Sequence, residues 1–131
     1  MVLYKEALSN DLGLYMAHVR LARLYADATM WPQAIEEARR AVQASPEDPS
    51  LLADLGAILR DAGQVTEAEQ VLRQAQANGR NPSVLYQFGL LELQLNKPEE
   101  ARAAFTRFVA IAPSRMSTEI ADAKQRLAGL P

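Results

Sequence analysis

Apolar residues recur three and four positions apart along most of the chain, a spacing that places them on one side of an α-helix. Leu52, Leu55 and Leu59 form one such stripe, and a second stripe begins at Val65. No segment alternates between apolar and polar residues in the manner of a half-buried β-strand. The pattern predicts an all-α chain, with helices near residues 2–10, 15–28, 31–45, 49–62, 65–78, 82–95, 98–112 and 115–128.

The helical stripes repeat along the chain at a nearly constant distance. Ala34, Ala68 and Ala101 hold the same place in three similar segments, 34 and 33 residues apart. Each segment is preceded by a matching stretch, and these read His-x-x-Leu-Ala-x-x-Tyr from residue 18, Leu-x-x-Leu-Gly-x-x-Leu from residue 52, and Leu-x-x-Phe-Gly-x-x-Glu from residue 85. A fixed period of this length indicates helical hairpins that stack on one another to bury a shared core.

The period near 34 and the order of these motifs, followed by Pro46 in the first repeat and Pro113 in the third, resemble the tetratricopeptide repeat (TPR). The resemblance implies a right-handed superhelical stack of antiparallel helix pairs in one domain. It implies a half-repeat helix over 1–14, three TPR units over 15–48, 49–81 and 82–114, and a capping helix over 115–131.

Two features depart from the family pattern. The turns within the three units hold Thr29, Gly63 and Asn96, and threonine adopts the left-handed backbone poorly. Either the first turn has another geometry or Thr29 is strained. Glu92 stands where the family has a tyrosine, so we expect the interior of the third unit to rely on its neighbours Leu91, Leu93 and Leu95.

Composition and charge narrow the function. The chain has 131 residues, of which 49% are hydrophobic and 23% charged, as expected of one folded domain. The net charge of −2 lacks the basic excess typical of nucleic-acid binders. No apolar run is long enough to span a membrane, and residues 1–6 do not resemble a signal peptide, so we expect a cytoplasmic protein. The many alanines and arginines suggest a bacterial origin.

The chemistry available for catalysis is sparse. The chain has no cysteine and a single histidine, His18, so we expect no metal, no cofactor and no enzymatic activity. We interpret His18 as a helix-packing residue. Three pairs of adjacent carboxylates are interpreted as residues near helix starts, where negative charge suits the helix dipole: Glu36–Glu37, Glu47–Asp48 and Glu99–Glu100.

The resemblance implies that the first helix of each unit lines a concave groove that binds another protein or a peptide. The expected groove residues are Val19, Arg20, Arg23, Ala53, Asp54, Ala57, Arg60, Tyr86, Gln87, Leu90 and Leu93. The three arginines can hold a carboxylate through a bidentate fork, and the tyrosine and leucines of the third unit can form an apolar floor for a helix or an extended peptide. Alternatively, these are solvated helix sides whose arginines pair with Asp27, Asp54 and Asp61.

One class of partner is not expected. TPR cochaperones hold the carboxylate of chaperone tails with a clamp of lysines and asparagines. The corresponding positions here are Val19, Arg23, Asp54, Ser83 and Gln87, and an aspartate repels an incoming carboxylate.

The N-terminal residues Val2, Leu3, Tyr4 and Leu8 resemble the second helix of a repeat that lacks its first helix. They fit a half-repeat or a boundary of the expressed segment. Alternatively, they dock on another chain or another copy, which would give a homodimer through the N-terminal edge and a self-assembling structural protein. A third possibility is a regulatory fragment of a longer enzyme.

Overall fold

The computed structural model describes residues 14–77 and 81–131. This part of the chain is almost entirely helical and has no strand. It contains α1 (Leu14–Asp27), α2 (Trp31–Ala44), α3 (Pro49–Asp61), α4 (Val65–Ala77), α5 (Pro82–Gln94), α6 (Pro98–Ile111), a 3₁₀ turn (Ser114–Met116) and α7 (Ser117–Gly129). The predicted all-α architecture is confirmed. The helix predicted near residues 2–10 lies outside the described residues.

Helices α3 and α5 each begin at a proline that directly follows an N-capping residue. Asp48 accepts a hydrogen bond from the backbone N–H of Ser50 at 3.0 Å, and Asn81 accepts one from that of Val84 at 3.2 Å. Proline as the first helical residue loses nothing, because its missing N–H would have no partner within the helix. The prolines between repeats therefore set where each hairpin starts.

The turns within the three hairpins share one backbone geometry. Thr29, Gly63 and Asn96 have φ angles of 56°, 86° and 60°. In the first turn the N–H of Met30 donates to the carbonyl of Tyr25 at 2.8 Å, and the other two turns have the equivalent bond. This is the Schellman motif, which satisfies the last carbonyls of a helix and requires a left-handed residue. Of the two possibilities for the first turn, strain at Thr29 is the one observed.

The two helices of a hairpin approach closely where glycine faces a bulky side chain. A Cβ atom placed on Gly56 would lie 2.6 Å from Cγ of Leu72, and one on Gly89 would lie 2.6 Å from Cε1 of Phe105. These distances are far below van der Waals contact. The repeated glycine therefore makes room for the large residue of the partner helix.

The hairpins stack unevenly. Helix α3 packs directly against α5, whereas α1 makes only marginal contact with α3. At the other end, α7 packs on α6 and covers a cluster that includes Phe105, Phe108 and Ala123. The predicted capping helix is thus present. None of the described helices has both the length and the hydropathy required of a membrane span.

Candidate functional site

The separation of α1 from α3 leaves an open cleft on the inner face of the stack, which we define as the face formed by α1, α3 and α5. The cleft has a volume of about 480 Å³. Helix α1 contributes an exposed methionine, a valine and two arginines, and the start of α3 contributes acidic, hydroxyl and apolar groups. Its lining residues are Met16, Val19, Arg20, Arg23, Asp48, Ser50, Leu51 and Asp54.

The charged groups of the cleft are only loosely paired. Arg23 and Asp54 are 3.9 Å apart between Nη2 and Oδ2, and the Arg23 side chain is largely exposed whereas that of Asp54 is half-buried. Arg20 is exposed and has no ion-pair partner among the described residues. Burial raises the pKa of Asp54 above its ordinary value, and the guanidinium of Arg23 partly offsets this effect. The two arginines therefore keep donors available to a ligand.

An apolar recess adjoins the cleft. It arises because the first hairpin has no bulky side chain at the point where its two helices come closest together. Ala22 and Ala38 hold the places of Gly56 and Leu72, so neither helix fills the space that the leucine fills in the second hairpin. The recess has a cavity volume of about 20 Å³, and its apolar lining is completed by residues of α1, α2 and α3, namely Val19, Ala41, Leu51 and Ile58.

Of the expected groove residues of the second unit, Asp54 lines the cleft, whereas Arg60 and Ala53 make other contacts. Arg60 donates to Oε1 of Gln87 at 2.6 Å, and its side chain is only 17% exposed. It thereby ties α3 to α5 and also lies 3.3 Å from Asp61. Ala53 is buried beside Leu52, below the groove surface, because α3 rotates it toward the junction with the third unit. Ala57 remains half-buried.

In the third unit, the expected apolar floor is in contact with the C-terminal helix. Tyr86 donates its hydroxyl to Oδ2 of Asp122 in α7 at 2.6 Å, and its ring centroid lies 5.1 Å from that of Phe108. Leu90 and Leu93 are half-buried against the cluster that also receives Ile120 and Leu127 of α7. Burial, together with Asp122, raises the pKa of Tyr86 to about 12. The inner face is therefore open at α1 and α3 and covered at α5.

A protein-family model described as "Anaphase-promoting complex, cyclosome, subunit 3" matches residues 27–108, well over half of the chain. The chain belongs to this family of TPR-type repeat proteins. The predicted TPR membership is thus confirmed. A comparison with curated proteins gave no match.

Solved TPR structures share the fold at low sequence identity. The Arabidopsis OM64 TPR domain superposes with a TM-score of 0.76 at 16% identity, over 92% of this chain and 98% of that one. The first TPR domain of human RPAP3 gives 0.73 at 20% identity, over 89% and 94% of the two chains. YrrB, described as a TPR protein with an unusual peptide-binding site, gives 0.73 at 15% identity, over 95% of this chain and 62% of its own.

In this TPR chain, His18 is a packing residue with a buried partner. Its Nδ1 lies 2.5 Å from Oε2 of Glu37, and Arg40 donates to the other oxygen of that carboxylate at 3.1 Å. The interpretation of Glu37 as a residue near a helix start is wrong, because it lies in the middle of α2 and faces α1. By contrast, Asp48 caps α3 and Glu100 lies in the first turn of α6, as interpreted.

Glu92, at the TPR tyrosine position, is the largest departure from the sequence-based expectation. We expected the neighbouring leucines to fill the interior in its place, but the Glu92 side chain is itself fully buried, as is that of Leu91. It meets Glu69 of α4 and Glu100 of α6, with one oxygen of each carboxyl group within 4.8 Å of the others. Arg73 and Lys97 already form ion pairs with Glu100 and Glu69, so we interpret the group as an ion-pair cluster and assign no metal to it.

Proposed function

We propose that this TPR chain is a non-enzymatic interaction module that binds a peptide or helix in the cleft between α1 and α3 through one carboxylate of the ligand. The fold and family are those of protein–protein interaction modules. The observation that carries the more specific proposal is the combination, in one open cleft, of two exposed arginines with an exposed apolar side chain, Met16.

The chemistry of the cleft favours a carboxylate-bearing partner. Guanidinium groups bind carboxylates through two parallel hydrogen bonds, and Arg20 and Arg23 lie one helical turn apart on α1. The interaction between Arg23 and Asp54 is exposed and long, so its loss costs little when a ligand carboxylate replaces it. Asp48 and Asp54 on the opposite wall disfavour a second acidic residue at that side.

Apolar contacts supply the remaining affinity in this proposal. The exposed side chain of Met16, Val19 and the recess beside Ala22 provide a surface for one small apolar side chain next to the carboxylate. The third unit contributes less than the sequence suggested, since Tyr86 and Leu90 are engaged with the C-terminal helix and its core. The partner motif is thus an acidic residue adjacent to an apolar one.

A peptide-display selection against the full chain tests this proposal. Enriched peptides should carry Asp or Glu beside an apolar residue. The double variant Arg20→Glu/Arg23→Glu should weaken them about tenfold or more, because the new charges repel the ligand. The matched control is Arg102→Glu, an exposed position on α6, which belongs to the outer layer formed by α2, α4 and α6. Equal affinity for the groove variant, or loss of affinity only in the outer-layer control, would contradict the groove assignment.

Self-association is a second candidate, favoured by the exposed side of the first hairpin. Leu24 is 49% exposed, whereas its equivalents Ile58 and Leu91 are 8% and 0% exposed under the preceding hairpin. Met30, in the turn that follows α1, is also exposed. The residues expected to take part, Val2, Leu3, Tyr4 and Leu8, lie outside the described residues.

Light scattering across a concentration series distinguishes this candidate from a monomeric module. Dimers that Leu24→Glu, Leu3→Glu or Tyr4→Glu dissociate would support it. A monomer at every concentration would reject it.

A further inference from the structure

Glu92 is a buried carboxyl group in a place built for an apolar side chain. It occupies the register of Tyr25 in the first unit and Leu59 in the second. Its side chain is 0% exposed, and neither of its oxygens has a hydrogen-bond partner among the described residues. An ionised carboxylate left in this state is strongly disfavoured, because it loses hydration without gaining a partner.

The groups around Glu92 come from three elements. Helix α4 supplies Glu69 and Arg73, α6 supplies Glu100, and the turn between α5 and α6 supplies Lys97. Helix α3 also packs on α5, but its basic residue Arg60 is directed to Gln87 on the inner face.

The ion pairs in the cluster are shorter to the two outer carboxylates than to Glu92. Nη2 of Arg73 is 2.7 Å from Glu100 and 3.3 Å from Glu69, but 3.9 Å from Glu92. The Lys97 ammonium lies 3.0 Å from Glu69. Two cations therefore face three carboxyl groups, and the pairs they form account for the two outer carboxylates. A single proton on Glu92 makes the cluster neutral and supplies the donor that the buried carboxyl lacks.

We propose that the cluster of Glu69, Glu92 and Glu100 is a pH-sensitive switch, in which protonation of Glu92 controls how closely the second and third hairpins pack. Glu69 and Arg73 belong to the second hairpin, and the other members belong to the third. While Glu92 holds a proton, the two hairpins pack closely across a neutral junction. When the proton leaves, a third negative charge is trapped between the hairpins, and the junction loosens to admit water.

The pKa of Glu92 agrees with this geometry. Burial, followed by the neighbouring Glu69 and Glu100, raises it from 4.5 to about 8. The folded chain therefore holds a proton that the unfolded chain has released between these two values. Stability from this group is fully present below pH 4.5, falls as the pH rises, and is lost above about 8.

The test is a pH titration of the full chain and of two variants. Glu92→Gln keeps the shape and removes the titration, and Glu99→Gln is the matched control at an exposed neighbouring position. The wild type and the control should lose roughly 5 °C or more in melting temperature between pH 6 and 9, whereas Glu92→Gln should lose much less.

A second measurement keeps the proposal testable if Glu92→Gln does not fold. The ¹³C resonance of the Glu92 carboxyl in the wild-type chain should titrate well above the range of an exposed glutamate. Amide protection at the junction of α4 and α5 should fall over the same pH range. A titration near the ordinary value, or a Glu92→Gln variant with the pH dependence of the wild type, would overturn the proposal.

Discussion

His18 Nδ1 lies 2.5 Å from Oε2 of Glu37, and both side chains are buried where α1 packs on α2. The second unit has Leu52 and Val71 at the two equivalent positions, so an apolar pair serves the same place in the same fold. The polar pair is thus a local substitute for apolar packing, in which each partner satisfies the other.

Removing one partner of this pair should destabilise the fold much more than replacing both partners with apolar residues. His18→Leu leaves the buried Glu37 carboxylate with Arg40 alone and should lower the free energy of unfolding by roughly 3 kcal/mol. The double variant His18→Leu/Glu37→Val reproduces the second unit and should lie within about 1 kcal/mol of the wild type. Urea unfolding measures both values, and additive losses would show that the two side chains act independently.

Thr29→Gly should stabilise the chain. Thr29 has a φ of 56° in a turn whose equivalent in the second unit is Gly63. Glycine removes the steric cost of the left-handed backbone, so we expect a gain of about 1 kcal/mol. Gly63→Ala is the reciprocal test. No neighbouring atom lies within 4 Å of the added Cβ, so only the left-handed backbone opposes the alanine, and the loss of stability should be similar in size. A destabilised Thr29→Gly variant would show that the threonine side chain makes a contact worth more than the strain.

The close approach of paired helices should make Gly56 intolerant of alanine. The added Cβ would lie 2.6 Å from Cγ of Leu72, and we expect a loss of about 1–3 kcal/mol despite the better helix propensity of alanine. Combining Gly56→Ala with Leu72→Ala reproduces the Ala22–Ala38 pair of the first unit. The combined loss should be smaller than the sum of the single losses, because the second change removes the clash. Thermal unfolding of the three variants checks this coupling.

Much of the fold could be predicted from the sequence because the same local signals recur from one repeat to the next. Glycine faces a large residue at Gly56 and Gly89, and a proline follows the cap of α3 and of α5. A local signal that is weak by itself gains weight when it recurs at the same place in another repeat. The cluster around Glu92 could not be predicted, because it depends on side chains from two hairpins whose rotation relative to each other no local pattern specifies.

The groove illustrates the same limit. Which helices form the inner face follows from the repeat, and the exposure of Arg20 and Arg23 agrees with it. Whether a given part of that face is open depends on how α7 returns to the stack, as at Tyr86, and on an ion pair or amide contact between hairpins, as at Arg60. Such contacts join residues 27 to 36 positions apart and leave no periodic mark.

Tyr86→Phe should weaken the attachment of α7. Loss of the hydrogen bond to Asp122 should cost about 1 kcal/mol at neutral pH. The Tyr86 hydroxyl is the main cause that lowers the pKa of Asp122, so stability from this contact is present above about pH 3.8 and is lost as the pH falls through the lower folded value. The difference between variant and wild type should therefore shrink in acid. A stability difference between variant and wild type that stays constant down to pH 2 would show that it does not arise from the hydrogen bond between Tyr86 and Asp122.

We propose that the chain binds its partner through the open part of its inner face, at α1 and α3. The most direct measurement is chemical-shift mapping of the ¹⁵N-labelled chain, titrated with an acidic–apolar peptide from the display selection. We expect chemical-shift changes concentrated on α1 and the start of α3, around Arg20, Arg23 and Asp54, which disappear in Arg20→Glu/Arg23→Glu and persist in Arg102→Glu. Shifts confined to α2, α4 and α6, unchanged by the groove variant, would contradict it.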